Sequence, residues 1–234
     1  MDIILPLLAL SGLALFSKPK SSSSSSGNFK NGQYVPTRQL SFKTKLNSIL
    51  IDLENKLEIE DLRDFFMGVA WVESKYFPSA IKYENTGYIG VENNPTRFKN
   101  NKWKNKKEYF NFTGGLFQLF PSTALSATGA VNNSPLTVFD PYYTIVYGID
   151  LASRLNKSYN VKNWFDVRLG WHSLKLLKDK TPEILLEVEN RIVNGINKSG
   201  GDSEILYKYL PDNFDKYRSD FGFKKLLKYT LSLK

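Results

Sequence analysis

The chain of 234 residues has no cysteine and a single histidine, His172. Disulfides are therefore excluded, as is a zinc site assembled from Cys or His ligands. A Ser-His-Asp triad would have to use His172. Acidic residues are in short supply: 23 Asp and Glu face 32 Lys and Arg, giving a formal net charge of +9. That balance points to a polyanionic partner, whether nucleic acid, an anionic membrane surface or an acidic cell wall, without choosing among them. Apolar residues are not lacking. At 41% hydrophobic and 14% aromatic, the composition is that of a globular protein, with one domain of about 150–200 residues and an appendage. No metal and no cofactor is expected.

One long apolar run is present, Ile3 to Phe16. As a helix its 14 residues would span about 21 Å, less than a bilayer core of about 30 Å. The length suits a signal-peptide core, but Asp2 stands where a basic start is usual, and Lys18 and Lys20 follow the run. Basic residues in that place favour holding the C-terminal side at the cytoplasmic face if a membrane inserts the run. With no small-x-small cleavage site just after it, a membrane anchor is expected ahead of a cleaved signal. Ser21 to Ser26 is unbroken serine, with no apolar surface to bury and no reason to order. The expected organisation is an apolar anchor or signal segment over 1–17 and a flexible Ser-rich tether over 18–39. A domain over 40–180 follows, with a basic insertion at 82–112, and then a helical C-terminal extension over 181–234.

Within the domain, Leu46, Ile49, Leu50, Leu53 and Leu57 recur at helical spacing. A second helix is expected from Glu60 to Lys75, apolar on most sides and therefore central. Residues 82–112 lose periodicity and read as loops or a short hairpin. Pro121 opens a further helix that stops near Gly129. Asp140-Pro141 combines an N-cap acid with proline at the first helical position and starts a helix to about Asn156. Helices over 162–178, 182–195, 203–210 and 214–232 complete a mainly helical fold.

The most informative residue is Glu73. It lies three, four and seven positions after Ala70, Val69 and Phe66, so it extends an apolar helical face. A carboxyl placed there is partly desolvated, which favours its protonated form and suits a general acid. The same Glu could also reach solvent past the end of the stripe. A second cluster, Gly114 to Ala124, combines two glycines, an apolar strip with the amide of Gln118, and a helix start. It fits both a ligand-approaching loop and a loop packed into the core.

Together these segments resemble a known family. Glu73-Ser74 followed by Phe77-Pro78-Ser79-Ala80 looks like the E-S-x-x-x-P-x-A motif of soluble lytic transglycosylases, relatives of goose-type lysozyme. Gly115-Leu116-Phe117-Gln118 with Pro121-Ser122-Thr123-Ala124 is similar to their G-L-M-Q-x-x-P-x-T-A. Phe139-Asp140-Pro141 with Ile145 and Gly148 resembles F-D-P-x-x-N-I-x-x-G, with Thr144 in place of Asn. The three occur in the family's order, over residues 60–178. Where the family has A-A-Y-N, this chain has Leu169-Gly170-Trp171-His172, which puts Trp171 at the Tyr position and His172 at the Asn position. Glu73 and Gln118 are 45 residues apart, more than is usual, and the excess lies in 82–112.

The resemblance implies a lysozyme-like α+β fold, a helical bundle around the helix of the catalytic Glu with a small loop or hairpin lobe. It also implies cleavage of the MurNAc-GlcNAc bond of peptidoglycan by one carboxyl. Glu73 would first protonate the glycosidic oxygen, then accept the proton of the muramic hydroxyl that attacks the anomeric carbon, leaving anhydro-muramic ends. Ser74 and Gln118 would orient Glu73 or substrate. Gly115, Leu116 and Phe117 would line the cleft, and Trp171 and His172 its wall. A hydrolytic lysozyme would need a water-activating carboxylate, for which Glu84, Glu92 and Glu108 are available on the insertion. A third reading is a non-catalytic wall-binding or structural virion module.

The insertion carries seven basic and three acidic residues, four of the nine net positive charges. Trp103, Tyr109, Phe110 and Phe112 are interleaved with them. Such a stretch can grip single-stranded nucleic acid or an acidic glycan. The glycan is the expected partner here and nucleic acid is not. A membrane-anchored enzyme facing the wall, in a bacterial envelope or a viral particle, is the expected setting.

Overall fold

The computed structural model describes residues 27–30, 33–83, 112–126, 134–178, 181–211, 214 and 220–234. The apolar run and the serine run lie outside the described residues. So does nearly all of the basic insertion, including Glu84, Glu92, Glu108 and the aromatics Trp103, Tyr109 and Phe110. Among the described residues no helix is long and apolar enough to cross a membrane.

Ordered structure starts earlier than the sequence suggests. β1 (Gly27–Lys30) pairs antiparallel with β2 (Gln33–Pro36), and Tyr34 of β2 is buried in the core. Its ring lies 5.1 Å from Phe139 and 6.3 Å from Phe112. A flexible tether reaching residue 39 is thus corrected: the chain is part of the fold from Gly27. The physical reason is Tyr34, whose large apolar ring has a core site to fill.

α1 (Lys43–Leu57) buries the five residues of its apolar stripe. α2 (Leu62–Ser74) is buried along most of its length, from Leu62 through Phe65–Ala70 to Ser74, as a helix apolar on most sides must be. The chain turns after Ser74, where Lys75 and Tyr76 both have positive φ, and enters β3 (Ile81–Tyr83). β3 pairs antiparallel with β4 (Phe112–Gly114), Ile81 opposite Gly114 and Tyr83 opposite Phe112. The insertion therefore leaves and returns through two paired strands.

α3 (Pro121–Ser126) and a 3-10 turn (Pro135–Phe139) lead to α4 (Pro141–Tyr159). Asp140 caps α4 as expected, accepting from the Tyr142 and Tyr143 amides at 2.9 and 3.4 Å. The helix expected over 162–178 is two helices, α5 (Trp164–His172) and α6 (Leu174–Lys178), because Ser173 between them is extended.

The segment set apart as an extension is part of the same body. α7 (Pro182–Ser199) and α8 (Asp220–Ser232), with a 3-10 turn (Ser203–Tyr207) between them, contribute Ile192, Ile196 and Phe223 to the main core. α7 crosses α2 at two glycines. A Cβ on Gly195 would lie 2.6 Å from the Gly68 carbonyl oxygen, and one on Gly68 would lie 2.5 Å from Ile196 Cγ1. No side chain fits between the two backbones, so α7 lies directly against the helix that carries Glu73. The fold is mainly helical, as the sequence implies.

Candidate active site

Glu73 sits in the last turn of α2, following the fully buried Phe66, Val69 and Ala70 on the same face. Its side chain is 18% exposed, so the carboxyl emerges at the edge of the core. It is not alone there. Arg168 of α5 places Nη2 2.7 Å from Glu73 Oε1, and the arginine side chain is only 1% exposed. Burial pushes the guanidinium of Arg168 down from its ordinary value, while the charge of Glu73 and the hydrogen bond to it act in the opposite sense.

Arg168 is the residue that sequence reasoning missed. The signal was present: Trp164, Val167, Arg168 and Trp171 share one face of α5, and Trp164 and Val167 are fully buried. An arginine on an apolar face needs a buried anion, and Glu73 is an acid on an apolar face.

The Gly114–Leu119 segment closes on itself. Gly114 and Leu119 exchange backbone hydrogen bonds at 3.0 Å in each direction, leaving Gly115 to Gln118 as a tight loop. Gly115 has φ +80°, and a Cβ there would lie 1.8 Å from the Val138 carbonyl oxygen. Only glycine fits. Thr144, at the family's Asn position, is buried beneath this loop, its hydroxyl 2.7 Å from Val138 O and 2.9 Å from Asp140 O.

The loop is stitched to the Glu73 helix and to β3. Ser74 Oγ donates to Leu116 O at 2.8 Å and lies 3.0 Å from Ala70 O. Gln118 Nε2 donates to Ala80 O and Gly115 O, both at 3.0 Å, and its Oε1 accepts from Thr113 Oγ1 at 3.1 Å. Ser74 and Gln118 are thus committed to holding the loop. A role for either in orienting Glu73 or substrate would be exercised from these fixed positions, with Gln118 still half-exposed. Leu116 and Phe117 are fully buried, so their side chains are core rather than cleft lining. An apolar strip on a short loop beside α2 has nowhere better to go than inward.

Trp171 half-covers that core. Its ring is edge-on to Phe66 and Phe117, with centroids 5.9 and 5.8 Å away, and its Nε1 donates to Phe117 O at 3.4 Å. His172, next along α5, is exposed. Partial desolvation and then the charge of Arg168 hold its imidazolium below the ordinary histidine range. Glu73, Trp171 and His172 are therefore gathered around one edge of α2, with the Gly115–Gln118 loop behind them. Lys75 adds a cation 3.0 Å above the Trp71 ring. Among the described residues no group of three or more His, Asp or Glu is arranged to hold a metal ion.

The sequence model of the family described as the transglycosylase SLT domain matches residues 53–169, from the last turns of α1 through Arg168 to Leu169. The chain belongs to that family, whose members are lytic transglycosylases, glycan lyases acting on peptidoglycan. No curated protein and no solved structure matches the chain.

Proposed function

We propose that this enzyme cuts the MurNAc-GlcNAc bond of peptidoglycan with Glu73 as its single acid and base, giving anhydro-muramic ends. The observation that carries the reading is the placement of Glu73. It is a carboxyl at the end of a buried helix, partly exposed, and braced by a loop of the family's glycine-glutamine pattern. Glu73 first donates its proton to the glycosidic oxygen as the bond to the anomeric carbon breaks. The resulting carboxylate then accepts the proton of the muramic primary hydroxyl, whose oxygen bonds to the anomeric carbon. The proton count closes on one residue, so no water and no second enzyme carboxyl enter the reaction.

Trp171 and His172 form the accessible wall beside Glu73 in this reading. The exposed Lys75 adds positive charge beside Glu73, in keeping with an acidic glycan. The apolar N-terminal run anchors the enzyme at a membrane, facing the wall of a bacterial envelope or carried in a viral particle. Clearing of a murein suspension tests the activity. The wild-type chain clears it, and Glu73→Gln does not. Equal clearing by the variant would contradict the assignment of Glu73.

A further inference from the structure

Arg168 stands outside the segments that match the family's motifs, one residue before Leu169. Its charge is wholly buried and contacts the carboxyl of Glu73. Its Nε and Nη1 have no hydrogen-bond partner among the described residues. A buried guanidinium with unpaired N–H groups is costly, and an apolar side chain of similar volume would pack at lower cost. Packing alone therefore gives no reason for an arginine here.

The geometry supplies one. Arg168 takes Oε1 from the core side. Oε2 has no hydrogen bond among the described residues, and the carboxyl is partly exposed. A proton on Oε1 would oppose the guanidinium donor, so the transferable proton belongs on Oε2. The other charged groups around the pair are Lys75 just past the end of α2, His172 on α5, and Arg191 and Glu187 on α7. Arg191 and Glu187 face each other at 3.8 Å with exposed side chains, and Lys75 sits over Trp71. Among the described residues Arg168 alone forms an ion pair with Glu73.

We infer that Arg168 is a positioning residue: it holds Oε1 so that Oε2 carries the catalytic proton, and its charge limits how far toward alkaline pH the acid step works. This rests on Glu73 being the general acid. The sign follows from charge. A cation beside a carboxyl favours the ionised form, and a general acid needs the protonated one. Removing the cation leaves the carboxyl against the core without its counter-charge, so it keeps its proton to higher pH.

The test compares the full-length wild type with Arg168→Gln and Arg168→Lys. Fragment release from murein is followed against pH, and the Glu73 carboxyl carbon is titrated by NMR, its resonance assigned by its loss in Glu73→Gln. In Arg168→Gln both the alkaline limb of activity and the resonance midpoint should move up by about 1–3 pH units. Arg168→Lys should keep both near wild type while the rate falls at least about tenfold from misplacement. Unmoved midpoints in a folded Arg168→Gln would overturn the inference and leave Arg168 a structural residue. If Arg168→Gln does not fold, Arg168→Lys decides: an unchanged rate with only a lowered melting temperature overturns it. If the wild type releases no fragments, the lytic reading fails by itself, and the NMR midpoint still decides the role of Arg168.

Discussion

Ser74 Oγ donates a 2.8 Å hydrogen bond to the carbonyl oxygen of Leu116. It ties the residue after Glu73 to the loop that the family motif marks. Both groups are buried, so Ser74→Ala leaves a carbonyl in the core with one partner fewer. A stability loss of about 1–3 kcal/mol is expected. Murein clearing measured well below the melting temperature should fall, but far less than for Glu73→Gln. Thermal melts paired with clearing rates check both parts.

The crossing of α2 and α7 depends on Gly195. Gly195→Ala places a methyl 2.6 Å from Gly68 O and 2.7 Å from Val72 Cγ2. The helices must separate at Gly68, five residues before Glu73, at a cost of about 1–3 kcal/mol. Gly200, four residues past Ile196, is the control. It has φ +82° with nothing within 4 Å of a Cβ, so Gly200→Asn meets no clash. It carries only the left-handed backbone strain, which Asn tolerates better than most residues, at a cost of about 1 kcal/mol or less. Urea unfolding of the two variants should separate them clearly.

Glu73→Gln should fold, yet melt below the wild type. The substitution leaves the Arg168 charge buried beside a neutral amide. Breaking such a pair costs up to about 3–5 kcal/mol, less where the amide oxygen still accepts the hydrogen bond. A melting temperature equal to the wild type would show that the ion pair adds nothing net to stability.

Alkaline stability should fall through the buried tyrosines. Tyr147 is fully buried, with its hydroxyl 2.8 Å from Thr137 Oγ1. Burial pushes its phenol well above the ordinary tyrosine value, the Thr137 bond opposing. A raised folded value means that the folded state holds the proton more tightly. Its contribution is complete below about pH 10, the value of a free phenol, and is lost as pH rises beyond it. Melting curves taken from about pH 8 to pH 11 should show the decline. Tyr147→Phe should reduce its slope without abolishing it, since Tyr142 and Tyr143 are shifted the same way.

Periodicity carried the helical part of the fold. Leu46, Ile49, Leu50, Leu53 and Leu57 are all buried, and the Asp140-Pro141 start is a true N-cap. The site was half legible. Glu73 is visible as an acid on an apolar stripe, but its partner Arg168, 95 positions away in the sequence, is the same anomaly with the opposite sign. An unpaired acid and an unpaired base on two apolar faces satisfy each other. The loop residues were harder. Leu116 and Phe117 fit a cleft or a core equally well in sequence, and only their complete burial in the fold distinguishes the two. Gln118 likewise gains a partner in Ala80, 38 residues away, that spacing does not reveal. The β1–β2 hairpin did leave a trace, since Asn31-Gly32 is a strong two-residue turn signal.

In the proposed reaction one carboxyl, Glu73, cleaves murein by internal attack rather than by water. Mass spectrometry of murein digested by the full chain tests it most directly. Anhydro-muramic ends, absent from the Glu73→Gln digest, are the predicted result. Reducing ends would mean hydrolysis and a second carboxylate, and intact murein would mean a binding module; either would contradict the account.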